Sequence, residues 1–347
     1  MSMLSDMKQT LRSWLVHRYS TNSAHMFRDQ FGEQLAYGHR EVLIKYMGLP
    51  KSAYFKASLT HSMTLPHSIE NLRVILDQKH APLLQLLWRS DAEQEAKLNN
   101  ISGIRTIGAT GIYALLNLGF SLKDISTQIK KVSSQHYWSS DSLELIDFLH
   151  DKKVLYLPTH SWDGDVVNYK PSNLEMLRKL NPDNVRVLLG YLDFCDPKKR
   201  TLLQDFGWKL ECAGVRASKV FGSPAGGRVN FLYELFKIIE WSDIVIADSY
   251  TTGLFYSACL GKNIGVLPLD LIELEYSYWR KDASDDYMVY ENKVKNLFPW
   301  LYGKEVDKET IFNDIATSLG LDKIKSPEQL KEIIPWYLEP ALDLFEF

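Results

Sequence analysis

Apolar residues along this chain fall into short unbroken runs, separated by longer stretches in which apolar and polar positions alternate at helical spacing. In the second half the short runs are "KVLYLP", "VRVLLGYL", "WKLECAG", "DIVIAD" and "NIGVLPL". Between them lie "PSNLEMLRKLN", "PKKRTLLQDFG", "VNFLYELFKIIEW" and "TGLFYSACLG". Short runs with no polar residue on every second position read as strands covered on both faces, which is the pattern of a parallel sheet flanked by helices. The first half shows the same alternation: "YFKASL", "PLLQLLWRS" and "GIRTIGAT" as strands, with the helix-like "DAEQEAKLNN" between the last two. Residues 1 to about 50 read as helical, with "REVLIKYMGLP" stopping at Gly48 and Pro50. The closing "SPEQLKEIIPWYLEPALDLFEF" predicts one or two helices broken at Pro335 and Pro340. The expectation is an α/β chain in two halves meeting near residue 151, with a ligand in the cleft between them.

Length and composition fit that picture. The chain has 347 residues, 45% hydrophobic and 24% charged, enough for two ordinary domains with cores of their own. A net charge of −3 provides no global field for a nucleic-acid backbone, so nucleic acid is not an expected partner. Cys195, Cys212 and Cys259 are widely spaced with no CxxC pair, which fits a reducing, cytoplasmic setting and excludes the usual thiolate zinc pattern. The opening "MSMLSDMKQTLRSWLVHRYS" carries charge inside its apolar pattern and lacks a signal peptide's apolar centre. Its Met3, Leu4, Met7, Leu11, Trp14 and Leu15 recur at helical spacing beside basic residues. That suits a helix packed on its own domain, and also a peripheral contact at the inner face of a membrane.

Chemistry concentrates where "DIVIAD" empties into Ser249, Tyr250, Thr251, Thr252 and Gly253. In an open parallel sheet ligands gather outside the carboxyl ends of strands, beside the unpaired N–H groups of the next helix. Ser249, Thr251 and Thr252 would add hydroxyl donors, and Gly253 would let the backbone approach a phosphate. The same residues would equally serve as a plain helix cap.

The stretch "SDIVIADSYTTGLFYSACLGKNIGVLP" resembles a segment of GT-B-fold transferases, in particular bacterial surface-polysaccharide glycosyltransferases and teichoic-acid-type glycerophosphotransferases. Their pattern is apolar strand, Asp-x-Ser/Thr-Ser/Thr, helix, apolar strand. "KVLYLPTHSWDG" is similar to the strand and loop that open their nucleotide-binding domain, and "GHREVLIKYMGLPKSAYFKASLTHSMTLPHS" resembles their helix, loop and strand ending in a His-Gly-type turn, with Ser62 where glycine is commoner. The "LLQLLWRSDAEQEAKLNNISGIRTIGATGIY" stretch also looks like theirs. The resemblance covers about residues 35 to 270. It implies two Rossmann-like domains facing across a cleft: an acceptor-side domain with leading helices (1–150), a nucleotide-binding domain (151–325) and closing helices (326–347). It further implies that Ser249, Thr251 and Thr252 bind donor phosphate, and that Thr159, His160 and Ser161 face the cleft. Partners would be a nucleotide-activated sugar donor and a glycan or lipid-linked acceptor, with no cofactor.

Sugar transfer needs a base for the acceptor hydroxyl and donors for the departing phosphate. His61, at the end of a predicted strand, is the candidate base, with His67 behind it. His160, Lys262 and Arg228 are candidate donors, although a lysine such as Lys262 is more often a solvated surface charge. The loop "FGSPAGGR" brings Gly222, Ser223 and Arg228 to where the nucleotide would lie, or forms only a tight turn. Glu234 and Glu240 on the following helix would reach a ribose or face solvent. No HExxH, carboxylate pair or histidine pair stands at a strand end, and "DGD" at Asp163 to Asp165 has no partner, so no metal is expected. Two other enzyme readings and one of a different class remain. A CDP-polyol phosphotransferase would share the fold. Gly108, Gly111 and Ala114 have dinucleotide-loop spacing but lack the acid about 20 residues on that such a fingerprint needs. The third reading is a nucleotide- or glycan-binding module without catalysis.

Overall fold

The computed structural model describes residues 36–55, 57–59, 84–133, 142–161, 165–170, 174–175, 177–214, 231–267, 272–276 and 283–338. Its first half opens with α1 (His39–Met47), which ends where Gly48 enters the left-handed region at φ 64° and its N–H reaches back to the carbonyls of Ile44 and Lys45. The expected strand "YFKASL" is two short pieces, β1 (Ala53–Phe55) and β2 (Ser58–Leu59). β3 (Gln85–Leu87), α2 (Ala92–Leu98), β4 (Ile104–Thr106), α3 (Thr110–Asn117) and α4 (Leu122–Ile129) follow. β2, β3 and β4 form a three-stranded sheet in that order, parallel throughout.

The second half runs through α5 (Ser142–Leu149), β5 (Val154–Leu157), β6 (Asp165–Tyr169), β7 (Val185–Leu188), α6 (Tyr191–Cys195), α7 (Pro197–Gln204) and β8 (Lys209–Glu211). It continues with α8 (Phe231–Glu240), β9 (Ile244–Ala247), α9 (Thr252–Ala258), β10 (Asn263–Val266), β11 (Ile272–Tyr276) and α10 (Ala283–Leu297). The five-stranded sheet has the order β10-β9-β5-β7-β8 with every pair parallel. Numbered by their succession in this sheet the strands read 3-2-1-4-5 from the far edge, the doubly wound order. β5 and β9, the neighbours at its centre, are buried at all four positions. That burial explains their unbroken apolar sequences. β6 and β11 form a separate antiparallel pair that the apolar runs did not announce.

Alternate residues of the central strands enter two cores. Val154, Tyr156, Ile244 and Ile246 join Leu145, Leu149, Leu203, Phe206 and Trp208 on one face. Leu155, Leu157, Val245 and Ala247 join α8 and α9 on the other, and this second core continues without a break into Val42, Trp88, Ile112 and Tyr113 of the first half. The chain therefore passes from one sheet to the other between β4 and β5, with α5 already packed in the second sheet's core, while the apolar interior runs across that stretch.

The last elements return to the first half. α11 (Lys308–Leu319) ends at Gly320, α12 (Pro327–Ile333) packs against α1, and β12 (Trp336–Leu338) pairs antiparallel with β1. A strand, instead of a second helix, thus follows α12. Pro335 ends the helical path, and the aromatic pair Trp336 and Tyr337 suits extended backbone with a partner strand available. Residues 339–347 lie outside the described part. Among the described residues no helix is long and apolar enough to cross a membrane.

Candidate functional site at the sheet switch point

The chain leaves β5 toward β7 on one side and returns through β9 on the other, so the strand order reverses between β5 and β9. In open α/β sheets ligands bind outside the carboxyl ends at this place. Here the loop Pro158–Ser161 after β5 meets Asp248–Gly253 after β9. Thr159, His160, Ser161, Thr251, Thr252 and Gly253 are accordingly brought to one end of one sheet.

Asp248 joins the two loops. Its Oδ1 accepts from the Thr159 N–H at 2.8 Å and the Thr159 hydroxyl at 2.7 Å, and its Oδ2 accepts from the Tyr156 hydroxyl at 3.1 Å. The residue is part-buried and keeps some of its surface in contact with solvent. Burial pushes its pKa up to about 6, against the opposing pull of the Thr159 and Tyr156 hydrogen bonds. The acid ending an apolar strand was visible in the sequence. Its three donors were not.

Ser161 is an anchor for its loop. Its N–H donates to Asp193 Oδ2 at 2.7 Å and its hydroxyl donates to Asp193 Oδ1 at 2.6 Å. The same oxygen accepts from Lys199 Nζ at 2.8 Å and from the Val167 N–H at 2.9 Å. Lys199 also forms an ion pair with Asp193, which is fully buried at the start of α6. With one donor and two acceptor sites filled, the Ser161 hydroxyl has no capacity left for a ligand. His160 beside it is exposed, its Nδ1 lying 3.0 Å from the Ser161 carbonyl oxygen. Gly190, where β7 meets α6, lies against it: a Cβ there would stand 2.7 Å from His160 Cβ. No residue with a side chain fits at 190 unless His160 moves.

Across the switch point Thr251 caps α9, its Oγ1 accepting from the Gly253 N–H at 3.4 Å. A hydroxyl that caps through its oxygen keeps its own hydrogen to donate, so capping and anion contact are compatible in one residue. The Thr252 side chain is partly exposed and bonds to none of the described residues. Gly253 lies under Leu157, whose Cδ1 would be 2.9 Å from an added Cβ, a contact that a shift of the leucine side chain would relieve. Ser249 is buried and its hydroxyl donates to Glu291 Oε1 at 2.5 Å, while Tyr302 donates to Oε2 at 3.2 Å. Its hydrogen is directed at a carboxylate on α10. Lys262 donates to the carbonyls of Glu240 and Ser242 at 2.9 and 2.5 Å, capping the end of α8, where a cation meets the negative end of the helix. His61, His67, Asp163, Gly222, Ser223 and Arg228 lie outside the described residues.

No protein-family model matches this chain, and neither a curated protein nor a solved structure matches it significantly. Its own geometry is what bears on function.

The corresponding end of the three-stranded sheet is differently built. The Ala109 N–H donates to the Leu319 carbonyl at 2.8 Å, the Gly111 N–H to the Tyr256 hydroxyl at 3.2 Å, and the Ser90 N–H to the Thr317 carbonyl at 2.9 Å. A Cβ on Gly108 would meet Ile324 at 2.5 Å, and one on Gly111 would meet the Tyr256 ring at 2.4 Å. Gly108 and Gly111 therefore admit the returning C-terminal segment and α9, and the amides that a dinucleotide phosphate would use are taken up by protein.

Proposed function

We propose that this chain is a glycosyltransferase that takes a sugar from a nucleotide-activated donor to an acceptor in surface-polysaccharide assembly, without a catalytic metal. The observation that carries the reading is the reversal of strand order between β5 and β9. At that point a hydroxyl-bearing turn, Thr251 and Thr252, faces a second loop, Thr159 and His160, fixed to it through Asp248. In this reading the β5–β10 unit is the donor domain of a GT-B-like pair and the first half bears the acceptor. Transfer breaks the bond from the anomeric carbon to the phosphate oxygen and leaves the electron pair on the nucleotide. The acceptor oxygen bonds to that carbon and gives its proton to a base, for which His61 is the candidate. Thr251 and Thr252 hydroxyls and the adjoining N–H groups answer the charge that grows on the leaving phosphate.

A second reading, a nucleotide-binding module without transfer, is favoured by one observation: the strand ends of the first sheet are filled by the Leu319–Ile324 turn, which narrows the room for an acceptor there. Calorimetric titration with uridine, cytidine, guanosine and adenosine diphosphates, and release of nucleotide from the matching sugar donors, separates the two. The transferase turns a donor over, whereas the module binds and does not. Thr251→Ala with Thr252→Ala is expected to weaken nucleotide binding at least tenfold in a protein that still folds. A double variant binding as tightly as wild type would exclude the two hydroxyls as phosphate ligands.

A further inference from the structure

Two polar groups at the switch point are left incompletely satisfied. Asp248 Oδ1 has both of its acceptor positions filled by Thr159, whereas Oδ2 accepts one side-chain bond, from Tyr156. A carboxylate oxygen has room for two. Among the described residues no lysine, arginine or histidine pairs with Asp248, while the neighbouring buried acid, Asp193, is paired with Lys199. The second group is the Tyr169 hydroxyl. It is buried with no hydrogen-bond partner among the described residues, its ring lies 6.0 Å from Lys199 Nζ, and it sits in the field of Asp193, Asp248 and Asp196. Leaving a buried hydroxyl unpaired is costly, so such groups ordinarily meet a ligand or a water.

The chemistry of the missing partner follows. An unpaired carboxylate repels a phosphate, so the anionic end of any ligand must lie on the Thr251 and Thr252 side. What reaches Asp248 must donate hydrogen bonds and carry no negative charge. From these two open positions we infer that Asp248 and Tyr169 form a hydroxyl-reading floor, which holds the sugar ring of the ligand, ribose or transferred hexose, while the threonine turn holds its phosphate. This rests on the nucleotide reading above and adds the group that selects a polyhydroxylated ligand over a bare polyphosphate. Asp248 acts as acceptor for a ring hydroxyl, and Tyr169 bonds a second hydroxyl.

Titration calorimetry on wild type, Asp248→Asn and Tyr169→Phe tests it with three probes: the nucleoside diphosphate that binds best, glucose 1-phosphate and inorganic pyrophosphate. Asp248→Asn should lose at least tenfold affinity for a hydroxylated probe and keep or gain affinity for pyrophosphate. Loss confined to the nucleotide assigns the floor to ribose, and loss confined to glucose 1-phosphate assigns it to the transferred sugar. Tyr169→Phe, a change that only removes the unpaired hydroxyl, should weaken the same probe severalfold, and it stands in if Asp248→Asn does not fold. Unchanged affinity for both hydroxylated probes in either folded variant overturns the floor, as does an equal loss across all three probes. Failure of every nucleotide to bind wild type overturns the nucleotide reading itself and takes the inference with it.

Discussion

The Asp248 carboxyl is bound by Thr159 and Tyr156 with no cation paired to it among the described residues, and burial pushes its pKa up to about 6 from an ordinary 3.8. That displacement corresponds to as much as about 3 kcal/mol of folding stability once the group ionises. The sign follows from proton binding. Between the two values the folded chain binds more protons than the unfolded one, so stability falls as pH rises through about 4 to 6 and stays lowered above. Asparagine at 248 can still accept from Thr159 and can donate to the Tyr156 hydroxyl. Asp248→Asn should therefore be more stable than wild type at pH 8 by on the order of 1–2 kcal/mol, with the gain gone below about pH 4. Urea unfolding at the two pH values checks this, and a variant no more stable than wild type at pH 8 would contradict it. Thr251 and Thr252 stand out in the chain because they fall in the hydroxyl-rich turn just beyond an apolar run, whereas Thr159 and His160 are singled out through the resemblance alone. Tyr169, Asp193 and Lys199 could not, because nothing local marks them: Ser161 and Lys199 are 38 positions apart and meet only through the fold.

Among the elements, the loop after β5 owes its shape to α6 and α7. Asp193 on α6 and Lys199 on α7 converge on Ser161, and Ser161 in turn receives the first buried N–H of β6. Removing the cation leaves Asp193 charged and enclosed. Lys199→Met should cost about 3–5 kcal/mol, whereas Lys199→Met with Asp193→Asn should recover part of that loss. A single change costing under about 1 kcal/mol would mean that the network does not hold the loop. The central strands β5 and β9 were legible because burial on both faces leaves a continuous apolar signature. β6 with β11, and β1 with β12, were not legible as pairs. Their partners lie far apart in sequence, and strand pairing with a distant segment writes no local period.

For the whole molecule, the returning segment from α11 to β12 packs on the first half, with β12 pairing to β1 in a two-stranded sheet of its own. The Tyr46 hydroxyl donates to the Lys325 carbonyl at 3.1 Å, and the Lys325 N–H donates to the Tyr113 hydroxyl at 3.0 Å. Gly320, at φ 60°, passes so close to the Trp88 carbonyl oxygen that a Cβ would stand 1.8 Å from it. With the larger of its two main cores running through both halves, the chain should unfold in one transition. A fragment ending at residue 306 should show no cooperative melt in calorimetry, and two well-separated melts of the full chain would contradict the shared core. The apolar pattern suggested two halves but carried no sign of this sharing, nor that α5 packs with the second sheet. Which faces of two amphipathic helices meet is settled by docking, and α8 and α9 have apolar surface enough to serve both sides.

The central claim is that ligand binds at the reversal between β5 and β9. Amide chemical-shift mapping with the tightest-binding nucleoside diphosphate tests it most directly. The account predicts that perturbations cluster on Leu157–Ser161, Leu189–Tyr191 and Asp248–Gly253. Perturbations gathered instead on Trp88–Ser90 and Ile107–Gly111, at the ends of the first sheet, or no response to any nucleotide, would contradict it.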